Sequence, residues 1–229
     1  MSPPFVIASV IGEDEVNRQI ALRFAPHHPV ALLCSPDNKL TAAVSAAHDA
    51  GSEAVLFETD LSCIESIRAS IASASAQLGK QCAAAVFQVR REAAEVPFLE
   101  QTAAQFRAAT SSQIASAYAF SQAVMPLLAY GGGGGGGGSA EFPATLVYVG
   151  CDGISRSDKV VENALVALSR SLGREYGKKY IHIAHLKFKK GSVTKNETDA
   201  DAKRDARVAE TLWHLYTQPL SCFANEITI

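Results

Sequence analysis

The chain has 229 residues, 48% of them hydrophobic, which is enough for one α/β domain with a sizeable core. Its 21 basic and 23 acidic side chains leave a net charge of −2, so neither a nucleic-acid-binding surface nor a basic protein partner is indicated. No apolar run approaches the roughly 18 residues of a membrane-spanning helix, so no membrane association is expected.

Short apolar runs alternate with helical patterns along the whole chain. Because the runs are almost continuously apolar, they are typical of parallel strands that are covered on both faces. The predicted strands are 5–9, 30–34, 54–58, 83–87, 145–149, 181–186 and 225–229. The predicted helices are 15–25, 37–50, 61–78, 102–129, 159–176 and 205–217. This alternation predicts one α/β domain over residues 1–229, with a doubly wound parallel sheet of about seven strands.

A run of eight glycines, residues 131–138, separates the long helix from the strand that follows it. Glycine has the largest backbone freedom to lose on ordering, so the run predicts a flexible loop. A mobile lid over a binding site is one interpretation. A tolerated expansion of a surface loop is the other, and it is favoured.

The cysteines and histidines do not form a metal-binding pattern. Five cysteines are spread along the chain without a CxxC pair. Their odd number, and an N-terminus without a cationic segment, favour reduced thiols and a cytoplasmic location. His182 and His185 are three apart in a predicted strand, so they should point to opposite faces of the sheet. No metal ion is expected.

Several stretches resemble the short-chain dehydrogenase/reductase family over essentially the whole chain. They are "FETDLS" (57–62), "SQAVMPLL" (121–128), "ATLVYVG" (144–150), "ENALVALSRSLGREYGKKYIHIAHL" (162–186) and the tail "AETLWHLYTQPLSCFANEITI" (209–229). The resemblance implies a Rossmann-like fold, a site at the carboxyl edge of the sheet and, in ordinary members, NAD(P)-dependent redox chemistry.

The glycine-rich cofactor loop of the family is replaced by "IGEDEVN" (11–17). Gly12 is kept, whereas the later glycine positions fall on Glu13 and Asn17. Carboxylates at a helix N-terminus stabilise the helix, because they interact favourably with its dipole. Against a pyrophosphate, however, one pair of like charges about 4 Å apart costs roughly 4 kcal/mol at an effective dielectric near 20. We therefore expect that the loop no longer binds NAD(P) and that the acids fill the anion site.

Other cofactor positions of the family have changed as well. Asp60 matches the aspartate that contacts adenine, but an N-cap for helix 61–78 is an equally good interpretation. The Asn-Ala-Gly turn after the fourth strand is replaced by "FQVRREA" (87–93), and Pro-Gly after the sixth strand by "KFKKGSV" (187–193). No cofactor is therefore expected.

None of the family's four catalytic residues is present at its matching position. The asparagine aligns with Gln113, and the serine falls at Gly150 or Cys151. The tyrosine and lysine of the Tyr-x-x-x-Lys pair align with Asp158 and Glu162. Because the family chemistry needs a phenol beside an ammonium group, ordinary carbonyl reduction is not expected.

The crevice at the carboxyl edge is expected to hold many charged and polar side chains instead. They are Glu13, Asp14, Glu15, Arg90, Arg91, Gln113, Cys151, Asp152, Asp158, Lys159, Glu162, Lys187 and Lys189. In one interpretation Arg90 and Arg91 pair with the acids of the first turn and plug the cleft, or simply face solvent. In another, Asp152, Asp158 or Glu162 acts as general acid or base while Arg90 or Lys187 stabilises negative charge. Cys151 is a candidate nucleophile, although a structural cysteine is favoured because no histidine lies near it in sequence.

Three functions remain open from the sequence. The first is a cofactor-independent enzyme, such as an isomerase, cyclase or dehydratase, acting on a small organic metabolite in a biosynthetic pathway. The second is a non-catalytic binding or oligomer partner, since the resemblance implies a homodimer or homotetramer through helices 102–129 and 159–176. The third is an atypical NAD(P)-dependent oxidoreductase.

Overall fold

The computed structural model describes residues 3–10, 14–35, 41–49, 51, 53–89, 96–131, 142–151, 155–188, 197–219 and 221–229. The predicted glycine loop falls almost entirely outside these ranges. Its first residue, Gly131, is the last residue of a helix and not part of a loop.

One parallel sheet of seven strands runs through the domain in the order β3-β2-β1-β4-β5-β6-β7. The strands are β1 Phe5–Val10, β2 Val30–Cys34, β3 Ala54–Glu58, β4 Cys82–Gln88, β5 Ala144–Cys151, β6 Ile181–Phe188 and β7 Glu226–Thr228. Since the strand order reverses between β1 and β4, the topological switch point lies between these two strands. The predicted fold class is confirmed.

Within the described residues, six α-helices cover the two faces of this sheet. They are α1 Asp14–Phe24, α2 Thr41–Asp49, α3 Ile64–Leu78, α4 Ala103–Gly131, α5 Arg156–Tyr176 and α6 Glu197–Tyr216. Two separate hydrophobic clusters result. One lies under α1, α2 and α6 and includes Ile20 and Leu212, and the other lies under α3, α4 and α5 and includes Phe120 and Leu165. Each fully buried side chain of this kind contributes about 1.5–3 kcal/mol to folding.

The predicted starts of helices α3, α5 and α6 were wrong, each for a local reason. Helix α3 begins at Ile64 and not at residue 61, because Asp60 instead accepts the Ser62 amide at 2.8 Å in a preceding turn. Helix α5 begins at Arg156, three residues earlier than predicted. Helix α6 begins at Glu197, eight residues early, where the polar sequence "ETDADAKR" (197–204) carries no apolar stripe.

Candidate functional site

The start of α5 is fixed by a helix cap that directs two acidic side chains into the protein. Ser155 is the N-cap residue, and its hydroxyl accepts the backbone N–H of Asp158 at 3.0 Å. Such a cap contributes about 1 kcal/mol. Asp158 and Glu162 lie one helical turn apart on the same face, and each is only 6% exposed. The predicted pair is therefore buried, whereas Lys159 points to solvent.

The Glu162 carboxylate lies against Gly150, near the end of β5. A Cβ atom added to Gly150 would overlap the Glu162 carboxylate oxygens. Position 150 must therefore remain a glycine as long as Glu162 keeps this conformation. The carboxylate fills the space that the side chain of a serine, expected here or at the next residue, would occupy.

His185, on strand β6, is the second partner of Glu162. Its Nε2 atom lies 3.5 Å from Oε1 of Glu162, and the histidine is 2% exposed. Burial lowers the pKa of His185 to about 4; Lys187 adds to this effect and Glu226 opposes it. The imidazole is therefore neutral near pH 7, so it can either donate an N–H to a carboxylate or accept a proton from a carboxylic acid.

The two histidines of β6 point to opposite faces, as predicted. His182 lies on the side of α6, where Nδ1 is 3.0 Å from the carbonyl oxygen of Leu215. His185 lies on the side of α5 with Glu162. Sequence reasoning used this spacing only to argue against a metal ion and did not select His185 as a site residue. The alternation of the two histidines could be read from the sequence, but which of them meets α5 could not, so His185 was missed.

A buried polar network lies at the switch point between β1 and β4. Asn17 on α1 is 1% exposed, and its Oδ1 accepts the Nε2–H of Gln88 at 2.7 Å. Gln88 is the last residue of β4, and its backbone N–H donates to the hydroxyl of Ser9 at 2.9 Å. These bonds tie α1 to the carboxyl ends of two central strands. The sequence analysis did not identify Gln88 or Ser9.

Known proteins resemble this chain in structure but not detectably in sequence. A scan against protein-family models finds no match, and neither does a search of curated protein sequences. Solved structures match over nearly the whole chain. A short-chain dehydrogenase from Rhodopseudomonas palustris superposes with a TM-score of 0.76 at 23% identity, covering 98% of this chain and 97% of that one. A dehydrogenase/reductase from Sinorhizobium meliloti 1021 gives 0.78 at 19%, covering 100% and 94%. The NADH-dependent reductase A1-R′, solved in complex with NAD, gives 0.77 at 11%, covering 100% and 95%. The chain has the short-chain dehydrogenase/reductase fold.

In this short-chain dehydrogenase fold, Gln113 lies on α4 near its middle. Its amide group donates to the carbonyl oxygen of Ala109 at 3.1 Å, one turn back on the same helix. Its Oε1 atom is buried and has no hydrogen-bond partner. The amide NH₂ group is thus bonded within its own helix. The buried Oε1 acceptor remains available to a donor from outside the protein.

Asp60, which matches the family's adenine-contacting aspartate, is exposed just after β3. It accepts hydrogen bonds from both the backbone and the hydroxyl of Ser62, which lower its pKa. The N-cap interpretation is wrong, since the N-cap of α3 is Cys63, and Asp60 instead stabilises the turn before it.

The remaining site predictions fall largely outside the described residues. Gly12, Glu13, Arg90, Arg91, Asp152 and Lys189 lie in this category. For Cys151 only the backbone is described, which ends β5 and pairs with Phe188. Helix α1 begins at Asp14, so Asp14 and Glu15 occupy its first turn.

Clustered metal ligands and membrane-spanning helices are both absent from the described residues. Within that part of the chain, no three His, Cys, Asp or Glu side chains come together as metal ligands. Nor does any described helix have the length and hydropathy needed to cross a bilayer.

Proposed function

We propose that this protein is a cofactor-independent enzyme that moves protons on a small organic metabolite, in a reaction of the isomerase, cyclase or dehydratase type. The observation that best supports this proposal is the buried Glu162 carboxylate. It lies against Gly150 and beside a neutral His185 at the carboxyl edge of the sheet. Buried acid–base pairs in such a crevice are typical of general acid–base sites.

The residues do not fit a nicotinamide dinucleotide. Where the resemblance expects a glycine under the pyrophosphate, Asn17 carries a side chain that is bonded to Gln88. Where it expects the lysine that contacts ribose, Glu162 supplies a carboxylate. Asp14 and Glu15 add negative charge at the first turn of α1. Each change opposes binding of a doubly charged pyrophosphate.

In the proposed reaction Glu162 takes a proton from an acidic C–H or O–H group of the substrate, or gives one. Asp158, one turn earlier on α5, is the second acid–base candidate. Such a reaction needs no hydride transfer, so the missing tyrosine and lysine are not required. Glu162 and Asp158 are each only 6% exposed, so little water reaches their carboxyl groups in the folded protein.

The first experiment is a calorimetric titration of the full chain with NADPH and NADH. The proposal expects no binding at millimolar cofactor. Micromolar binding would overturn the cofactor-free proposal and favour the third function, an atypical oxidoreductase. The second experiment screens metabolite mixtures by NMR for turnover in the absence of cofactor. Glu162→Gln should lower kcat by about 100-fold or more. Glu175→Gln, a substitution of an exposed glutamate on the same helix, is the control and should leave kcat unchanged.

A non-catalytic role as an oligomer partner is the second candidate. It is favoured by apolar side chains left exposed on α4 and α5, where Tyr118 is 51% and Val160 43% exposed. If these helices form a homodimer, Tyr118→Lys should dissociate it in light scattering. Tyr180→Lys is the control, because Tyr180 is 49% exposed on a turn outside both helices. A monomeric parent protein would exclude this candidate.

A further inference from the structure

The last strand of the sheet brings a third charged group to the Glu162–His185 pair. His185 and Glu226 are register partners on β6 and β7, and the backbone N–H of His185 donates to the carbonyl oxygen of Asn225 at 2.8 Å. Partner side chains on adjacent parallel strands lie on the same face, and the strands are about 4.8 Å apart. Glu226 is therefore beside His185, on the side of α5.

Glu226 reaches solvent and is held there by an arginine from α5. Its side chain is 42% exposed and forms a bidentate ion pair with Arg170, in which Nη2 donates to Oε2 at 2.9 Å. The hydrogen bonds from Arg170 lower the pKa of Glu226, so the carboxylate stays ionised at neutral pH. Arg170 is two helical turns beyond Glu162 on the same helix. Helix α5 therefore carries both the buried carboxylate and the arginine that pairs with Glu226.

The other neighbours of His185 do not offer an alternative acid or base near neutral pH. On β5 its register partner is Tyr148, whose hydroxyl is paired with Ser121 and whose pKa is raised by burial. On its own strand, Lys187 disfavours the imidazolium form of His185. Among the described residues, Glu226 is the charge that raises the pKa of His185, and Glu162 is the carboxylate that lies within 4 Å of its ring.

We propose that His185 is the proton partner of Glu162, and that Glu226 and Arg170 connect this buried pair to solvent at the β7 edge of the sheet. The inference rests on the proposed function, since it supplies the route by which a catalytic carboxylate is reset. A substrate in the crevice would cover the other side of Glu162, whereas the β7 side would remain open.

One proton moves from the substrate to solvent through these groups. Glu162 takes a proton from the substrate and becomes a neutral acid. That proton passes to Nε2 of neutral His185, which restores the carboxylate and forms an imidazolium. The imidazolium then loses the proton on its other ring nitrogen to the Glu226 carboxylate, which releases it to bulk solvent and is again ionised. His185 ends neutral, with its tautomer returned by exchange with solvent. His185 is thus a positioning residue that acts through Glu162.

The test is an NMR titration of the full chain labelled with ¹³C and ¹⁵N in histidine, which requires no substrate. Glu162→Gln removes the adjacent anion and should lower the pKa of His185 by about one unit. Glu226→Gln should lower it by about half a unit. Glu226→Gln should also slow exchange of the His185 ring N–H with water about tenfold, because a positioned base is lost.

The matched control is Glu210→Gln, since Glu210 is also an exposed glutamate paired with an arginine, Arg23, at 2.7 Å. It should change neither the titration nor the exchange, and unchanged signals of buried His182 would show that each variant is folded. An unchanged His185 titration in Glu162→Gln would overturn the pairing. Equal exchange in Glu226→Gln and Glu210→Gln would overturn the route through β7. A coupled pair without any turnover in the metabolite screen would instead count against the proposed function alone.

Discussion

Gly150 and Glu162 depend on each other at the scale of single residues. Gly150→Ala places a methyl group on the Glu162 carboxylate, so either the carboxylate must leave its buried position or the strand must shift. Overpacking of this kind costs about 1–3 kcal/mol. We expect a corresponding loss in the free energy of unfolding by urea denaturation. The double variant Gly150→Ala/Glu162→Ala should recover part of it, because the overlapping atoms are gone.

The control for this prediction is Gly173→Ala, on α5. The nearest atom to an added Cβ there is the carbonyl oxygen of Ile183, at 4.0 Å, which is ordinary contact. Alanine in a helix interior is favoured over glycine by about 0.5–1 kcal/mol, so this variant should be at least as stable as the parent. A Gly150→Ala protein as stable as Gly173→Ala would show that the Glu162 carboxylate leaves this position at little cost.

Some features of the site residues could be predicted from the sequence, and others could not. Asp158 and Glu162 were selected because they align with the family's Tyr-x-x-x-Lys pair, but Asp158 lay outside the predicted helix 159–176, so their burial on one helix face was not predicted. The contact between Glu162 and His185 was not predicted either, because it joins residues on a helix and on the following strand whose relative height depends on packing. Likewise, Gly150 was noted as a lost serine position, but its need to be glycine is visible only once Glu162 is placed.

At the scale of elements, the bond between Asn17 and Gln88 joins α1 to β4. Each amide is buried, so removal of one leaves a buried polar group without its partner, at a cost of about 1–3 kcal/mol. Asn17→Ala and Gln88→Ala should each destabilise the protein by this amount in urea denaturation. The double variant should lose less than the sum, since both partners are then absent.

Gln122→Ala is the comparison, because Gln122 accepts a hydrogen bond from Arg68 at 3.1 Å on the exposed surface. That substitution should change the free energy of unfolding by under about 0.5 kcal/mol. Strict additivity of Asn17→Ala and Gln88→Ala would show that the two amides do not act as a pair. The bond between them would then contribute little to holding α1 against β4.

Elements themselves were the most predictable level of the structure. Strands β2 and β3 match their predicted ranges, because a short apolar run bounded by polar residues is compatible with few structures other than a buried strand. Helix ends were less predictable. The early start of α5 depends on the Ser155 cap, and the early start of α6 on eight residues without an apolar stripe. Local caps and polar turns carry little periodic signal.

At the scale of the whole molecule, three buried histidines make stability depend on pH. Burial is the largest influence on His28, His182 and His185, and it lowers the pKa of each below 6.5. The unfolded chain therefore binds more protons than the folded protein between pH 6.5 and the folded pKa, which for His185 is about 4. The free energy of unfolding must then fall as pH decreases through this window.

Each such histidine contributes a slope of up to about 1.4 kcal/mol per pH unit within its window. His182→Gln removes one of them, so its stability should fall less steeply than that of the parent between pH 6.5 and pH 5, measured by urea denaturation at half-unit intervals. His48→Gln is the control, since His48 is exposed near the end of α2 and already meets water in the folded state. Carboxylates with lowered pKa, such as Asp60 and Glu226, add their own loss of stability only at more acidic pH. A parent protein equally stable at pH 7 and pH 5 would mean that burial does not lower the pKa of these histidines, His185 included.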